Sequence, residues 1–346
     1  MSWIDCYREA LAGWGLENAQ VKQLSLSENA TFLVEDATLD APRILRLHRP
    51  GYRTLPWIES ELAWEHELAC EGRVRVADIY PTLEGKHVHT FVNSEGVPEN
   101  AVLFEYLSGH EPLEEGLSHM TRAIGRVAAA LHGSAASWEL PSWFDRPVWD
   151  AERILGADSD YGNWRDTPEV TPKLAELLEK VELVVRRELA VYGRTARNCG
   201  LIHTDLRSSN LLVDSDGELK VIDFDDCGIG WYLFDVACTF SFEESDDDLE
   251  DMLYSYVRGY KAGHGVLDDI DFTFLPTMLM ARRLMLVAWV EARRETRWAQ
   301  QVRESYVADT ARIAKLYLEG RYIPHIVADA ATSAHRVPST RFGVAA

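Results

Sequence analysis

The chain has 346 residues, of which 47% are apolar and 26% charged. That is enough apolar material for about two lobes and too much for wholesale disorder. The formal net charge of −21 disfavours nucleic acid and anionic membrane surfaces as partners and otherwise serves solubility. Five scattered cysteines (Cys6, Cys70, Cys199, Cys227, Cys238) without a C-x-x-C pair argue against a zinc ribbon or thioredoxin-type site and read as free thiols of a reducing, cytoplasmic setting.

The opening stretch MSWIDCYREALAGWGL carries acidic residues and no apolar core, so it reads as a first amphipathic helix and not as a signal peptide. Strands are predicted over Val21 to Leu26, Ala30 to Val34 and Ile44 to His48, the last two separated by the turn chemistry of EDATLDAP. Ile58 to Ala69 has helical spacing, with Glu59, Glu61, Glu65 and Glu67 interleaved. His87 to Val92 and Ala101 to Tyr106 are two further strand-like runs around a turn in NSEGVPEN. His87 and His89 form an H-x-H that reads as solvent-facing, since no third ligand accompanies it.

After Leu107-Ser108-Gly109 the chain becomes mainly helical, with amphipathic segments over Met120 to His132 and Thr171 to Tyr192. Leu211 to Val213 and Leu219 to Ile222 are short strand-like runs joined by the hairpin signal Asp214-Ser215-Asp216-Gly217. From Asp246 to Gly320 helix follows helix. The most apolar of these segments, LPTMLMARRLMLVAWVEARR, is interrupted by Arg282 and Arg283 and is too charged to span a bilayer. The tail HIVADAATSAHRVPSTRFGVAA reads as loosely held. The fold class expected is α+β: a strand-rich lobe over 1–107 and a helical lobe over 108–346, with a ligand cleft between them.

Chemistry concentrates around the hairpin. His203-Thr204-Asp205-Leu206-Arg207-Ser208-Ser209-Asn210 precedes it, and Val221-Ile222-Asp223-Phe224-Asp225-Asp226 follows it. A hairpin brings its ends together, so Asp205 and Asn210 are expected near Asp223. Carboxylates and an amide oxygen are hard ligands suited to Mg²⁺, and like charges so close call for a cation. A carboxylate left off the metal can accept a proton from an attacking hydroxyl.

These motifs, HTDLRSSN and VIDFDD followed by FDVA, resemble the aminoglycoside phosphotransferase and choline kinase-like superfamily, closest to its homoserine kinase-like and hydroxylysine kinase-like branch. The resemblance covers most of residues 20–320. It implies a two-lobed protein-kinase-like fold, ATP and Mg²⁺ as cofactors, and a small hydroxyl-bearing amino compound as acceptor. Asp205 would be the catalytic base, and Asn210 and Asp223 the metal ligands. His203 and Asp235 would brace the loop.

In the first lobe Asn29 and Thr31 would lie in the turn over the phosphates, which lacks the usual glycines. Arg46 stands where the family has a lysine, with Glu61 as its ion-pair partner; arginine offers phosphate a permanent charge and a two-pronged contact. Glu105 and Leu107 would present backbone groups to adenine. For the acceptor the candidates are Arg207, Asp225, Asp226, Trp231, Tyr232, Arg282, Arg283 and Trp289. Either Arg282 or Arg283 could hold a substrate carboxylate or pair with Glu291. Trp143, Arg146, Pro147 and Trp149 in WFDRPVWD read as a wall of the site. An aminoglycoside kinase, a protein Ser/Thr kinase and a nucleotide-binding pseudokinase are the alternatives. Only eleven residues separate Asp223 from Asp235, which leaves little room for a peptide-docking activation segment.

Overall fold

A computed structural model describes residues 3–112, 117–157 and 159–329; the tail from 330 onward lies outside the described residues. In chain order the elements are α1 (Tyr7–Leu11), β1 (Gln20–Leu26), β2 (Asn29–Glu35), β3 (Arg43–His48), α2 (Leu55–Glu71), β4 (Ile79–Tyr80), β5 (His89–Val92), β6 (Pro98–Glu105) and α3 (Leu117–Ser137). There follow β7 (Val148–Trp149), α4 (Ala151–Leu155), α5 (Pro172–Tyr192), β8 (Cys199–Ile202), β9 (Leu211–Val213), β10 (Leu219–Val221), β11 (Gly228–Trp231) and α6 (Tyr232–Thr239). The last helices are α7 (Leu249–Ala262), α8 (Asp269–Phe272), α9 (Leu275–Ala292) and α10 (Arg297–Leu318). The chain is α+β, with a protein-kinase-like fold.

Two compact units divide the chain. The first is Met1–Glu111, Trp138–Arg146 and Ser209–Asp225; the second is Pro112–Ser137, Pro147–Ser208 and Asp226–Ala346.

The first unit is built on an antiparallel sheet of order β1-β2-β3-β6-β4, with β5 also paired to β6. Side chains alternate across it, as strand geometry requires. Ala30, Phe32, Val34, Leu45, Leu47, Ala101 and Leu103 share one face with Ala10 and Leu11 of α1. Val102 and Phe104 point to the other face, onto Ile58 and Leu62 of α2. Arg46 lies between Leu45 and Leu47, so the same alternation turns it toward α2.

Thr54 caps α2, its Oγ1 accepting from the Trp57 amide, and Gly72 ends it in the left-handed region (φ 64°). β6 starts at Pro98, earlier than the apolar run predicts, because a proline fits the first residue of a strand. The turn before it is held by Asn93 Oδ1, which accepts from the Glu95 and Val97 amides. The β9–β10 hairpin belongs to this unit. The Val221 amide donates to Arg75 O (2.9 Å), and the Val213 and His110 backbones exchange hydrogen bonds. His89 is not solvent-facing: its ring stacks on Phe91 (centroids 5.4 Å apart) and it is half-buried.

In the second unit α3 and α6 pack on a small sheet in which β11 runs parallel to β7 and antiparallel to β8, while α7 packs on α3, and α9 on α6, α5 and α10. β8, β11 and β7 are two to four residues long, too short to carry a period. Residues 275–290 of α9 are almost all buried, Arg282 and Arg283 included. Charges so enclosed require partners. Among the described residues no helix is long and apolar enough to cross a membrane.

Candidate active site

In the first unit the polar residues sit on the α2 face of the sheet. Thr31 is the register partner of Arg46, and Asn29 that of His48. Directly opposed residues share a face, so all four lie together. Arg46 is buried and pairs with Glu61 of α2 at 2.6 Å, with its guanidinium 4.8 Å from the Phe104 ring. Its Nε is buried without a partner, as is Asn29 Oδ1. Glu65, one helical turn beyond Glu61, is pushed well above the carboxylate range by burial and then by the Glu61 charge.

Arg146 ties three pieces of this unit together. It donates to Trp57 O at the start of α2 (3.0 Å) and to Asp225 O (2.6 Å), and it lies 4.0 Å from Glu61 Oε2. Arg53, which the sequence did not single out, reaches Asp225 Oδ2 at 3.2 Å. Burial would raise the Asp225 carboxyl, but Arg53 and Arg46 outweigh it and hold it below its usual value.

Asn210 and Asp223 are brought side by side by the hairpin, the Ile222 amide donating to Asn210 O at 3.0 Å. Asp223 is left-handed (φ 64°), and the Phe224 ring after it packs edge-on against Trp64 of α2. A non-glycine residue in that region marks local strain of the kind found at functional sites. The donors offered are a carboxylate and an amide oxygen, with Asp225 Oδ1 nearby in sequence buried without a partner. This set fits a hard divalent cation. Among the described residues no three His, Cys, Asp or Glu side chains form a metal cluster, so nucleotide phosphates and water would have to complete the shell.

The Glu105 amide donates to Asp78 O (2.8 Å) and its carboxylate pairs with Arg75, so of its backbone groups the carbonyl is the one left to meet a base edge. The Leu107 side chain is buried in the cluster around Ile58 and Leu62.

In the second unit Asp235 organises the loop. Its Oδ2 accepts from the His203 amide (2.8 Å) and its Oδ1 from the Thr204 amide (2.6 Å), while His132 Nε2 lies 3.2 Å from it. Thr204 is left-handed (φ 68°), and its hydroxyl donates to Asp226 O (2.8 Å). These contacts fix the turn that presents Asp205. Asp205 Oδ1 accepts from Arg282 Nη2 (2.8 Å) and Oδ2 from Arg207 Nε (3.0 Å). Burial would raise the Asp205 carboxyl, but Arg207 and then Arg282 hold it below its usual value. Asp226 Oδ2 accepts from Tyr161 OH at 2.6 Å.

The acceptor candidates do not all belong together. Arg282 pairs with Asp205 and not with Glu291, whose partner is Arg294 (3.1 Å). Arg283 faces a different part of the core, bound to Glu244 (2.8 Å), Thr310 and the Tyr306 carbonyl. Successive helical residues point about 100° apart, which is why one arginine meets the loop and its neighbour does not. Trp231 is buried, with its Nε1 donating to Gly193 O (2.7 Å), and buried Tyr232 packs against the His132 ring. Both are core residues. Trp289 is half-buried, 5.8 Å from the Phe242 ring. Trp149 is buried and donates to Asp226 O, whereas Trp143, in the first unit, is 54% exposed. Tyr161, Ser241 and His132 carried no sequence signal, because they meet Asp226, Arg282 and Asp235 respectively from distant segments of the chain.

A kinase-like fold with an HxDxxxxN loop and a strand-borne Arg–Glu pair defines a phosphotransferase. The family model of the phosphotransferase enzyme family (APH) matches residues 20–270, and the chain belongs to that family. No curated protein matches the chain in sequence. Among solved structures, a microcompartment-associated aminopropanol kinase is 36% identical, with a TM-score of 0.84, over 92% of this chain and 99% of that one. An amicoumacin kinase in complex with AMP-PNP and Ca²⁺ is 19% identical (TM-score 0.74; 92% and 94% covered). A choline/ethanolamine kinase family protein from Mesorhizobium loti is 13% identical (TM-score 0.63; 94% and 100% covered). These last two likenesses are of fold alone. The chain is thus an ATP-dependent kinase of the aminoglycoside phosphotransferase and choline kinase-like superfamily, with an alcohol group as acceptor.

Proposed function

We propose that the chain transfers the γ-phosphate of ATP to the hydroxyl of a small amino alcohol, with Mg²⁺ as the metal. The observation that carries the acceptor class is the 36% identity to an aminopropanol kinase across nearly the whole of both chains. The side chains support an amino alcohol over an amino acid. Of the two arginines expected to hold a substrate carboxylate, one is bound to Asp205 and the other to Glu244.

In this reading Asp205 orients the acceptor hydroxyl and takes its proton as the oxygen attacks the γ-phosphorus and the bond to the ADP oxygen breaks. Held below the usual carboxylate value, Asp205 is a weak base, so its contribution is mainly orientation until late in the transfer. Arg46, steadied by Glu61, grips the phosphates beside Asn29 and Thr31, and Leu107 adds backbone contact to adenine. Asn210 and Asp223 hold the metal, which when bound neutralises phosphate charge. Asp225 and Asp226 follow Asp223 two and three residues on in the chain, and Trp289 and Arg207 are acceptor-side residues.

The test is ADP release from MgATP with 1-amino-2-propanol, ethanolamine, choline, homoserine, hydroxylysine, kanamycin and a generic protein as acceptors. Turnover is expected with the amino alcohols, lost on chelation of the metal, and reduced about 10²–10⁴-fold by Asp205→Asn. Turnover confined to kanamycin or to protein, or an unaffected Asp205→Asn, would reject this reading.

A further inference from the structure

Arg282 lies on α9, which is buried along most of its length, and each of its three side-chain nitrogens makes a hydrogen bond. Nε donates to Ser241 Oγ (2.9 Å), Nη1 to Thr204 O (3.4 Å) and Nη2 to Asp205 Oδ1 (2.8 Å). Ser241 is itself fixed. Its hydroxyl donates to Cys238 O at the end of α6 (2.7 Å), which leaves its lone pairs to accept from the arginine. The next residue, Phe242, is left-handed (φ 75°), and its ring packs against Trp289, Trp298 and Tyr306. That packing holds the turn from which Ser241 projects.

Arg207, on the other carboxylate oxygen, differs in kind. Its side chain is 32% exposed against 5% for Arg282, and it comes from the loop itself. The two Asp205 oxygens are therefore unequal: Oδ1 is locked from the helix side, and Oδ2 faces a partner that can give way.

We propose that Arg282 is a positioning residue for the phosphoryl transfer: anchored by Ser241 and the Thr204 carbonyl, it fixes Asp205 through Oδ1 so that Oδ2 is the oxygen presented to the acceptor hydroxyl. This rests on the kinase reading above with Asp205 as the base. Positioning of this kind acts on the transition state and not on ground-state binding, so its loss belongs in kcat. Neighbouring Arg283, equally buried but paired with Glu244, serves as the internal comparison for a merely structural arginine.

The experiment measures kcat and both KM values with MgATP and 1-amino-2-propanol, and in parallel the slow transfer to water, so that a wrong acceptor does not silence the readout. Arg282→Gln is expected to lower kcat on both about 10²-fold with KM for ATP and acceptor within about two-fold. Arg282→Lys, which keeps the charge but not the fork, should recover part of that loss. Ser241→Ala should lower kcat in the same direction by a smaller factor. Methylguanidine should restore activity to Arg282→Ala, and Arg283→Gln should lower Tm while leaving kcat near normal in the folded protein.

A raised acceptor KM at unchanged kcat would place Arg282 on the acceptor and overturn the proposal. So would equal kcat losses in the Arg282 and Arg283 variants without rescue by methylguanidine. If the wild type transfers only to water, the amino alcohol reading fails, while the Arg282 comparison on water still decides the positioning role.

Discussion

His48 ends β3 fully enclosed, and neither of its ring nitrogens has a hydrogen-bond partner among the described residues. Burial, with Arg46 alongside, pushes it from 6.5 down to about 3. Its folded value lies below the unfolded one. Neutral His48 therefore contributes its full stability above about pH 6.5, and that contribution is lost as the pH falls toward 3. Replacement by leucine breaks no hydrogen bond and removes the titration. The denaturant midpoint of His48→Leu should fall less between pH 7.5 and pH 5 than that of the wild type; parallel declines would show that His48 does not titrate as its burial demands. At this scale the sequence exposed letters but not contacts. Asp205, Asn210, Asp223, Arg46 and Glu61 stand in recognisable strings. Which of Arg282 and Arg283 meets Asp205, that Arg53 meets Asp225, and that Tyr161 and Ser241 meet Asp226 and Arg282, depends on helix phase and on segments far apart in the chain, which no local pattern records.

Helices α3 and α7 pack through reciprocal notches. A Cβ on Gly125 would overlap the Tyr256 carbonyl, and one on Gly259 would overlap the Arg122 carbonyl. Both obstacles are backbone, so neither can rotate away. Alanine is favoured over glycine in a helix interior by about 0.5–1 kcal/mol, whereas overpacking a well-filled contact costs about 1–3 kcal/mol. The second effect should win: Gly125→Ala and Gly259→Ala should each lower Tm. A raised Tm in either would show that the helices can separate at little cost. Sequence periodicity found α3 because one of its faces is exposed. It could not fix the limits or role of α9, since a helix buried all round has no polar stripe to phase it. It also passed over β4, β8 and β11, which are too short to alternate. The β2, β3 and β6 strands were legible because their two faces meet different neighbours.

The whole molecule carries 56 acidic and 35 Lys or Arg residues, a formal net charge of −21. Self-repulsion at that charge destabilises the compact state, and salt screens it with a Debye length of about 10 Å at 0.1 M. Opposing this, salt also weakens exposed ion pairs such as Arg321–Glu319 and Lys86–Glu84, but such pairs contribute only about 0–1 kcal/mol each. The pairs that matter to the sites are enclosed: Arg46–Glu61, Arg283–Glu244 and Arg282–Asp205. Buried pairs are screened much less than exposed charges. Repulsion among the excess carboxylates is therefore the larger salt-sensitive effect, and Tm should rise as NaCl increases from about 0.01 to 0.2 M, with KCl giving the same curve. The catalytic positioning should not follow it, because Asp205 is held from within its own unit. Over the same salt range kcat for the favoured acceptor should stay level while Tm climbs. A flat or falling Tm would mean that the acidic surface is already neutralised by its own cations, and a kcat that tracks salt would mean that the Arg282–Asp205 pair is open to solvent ions.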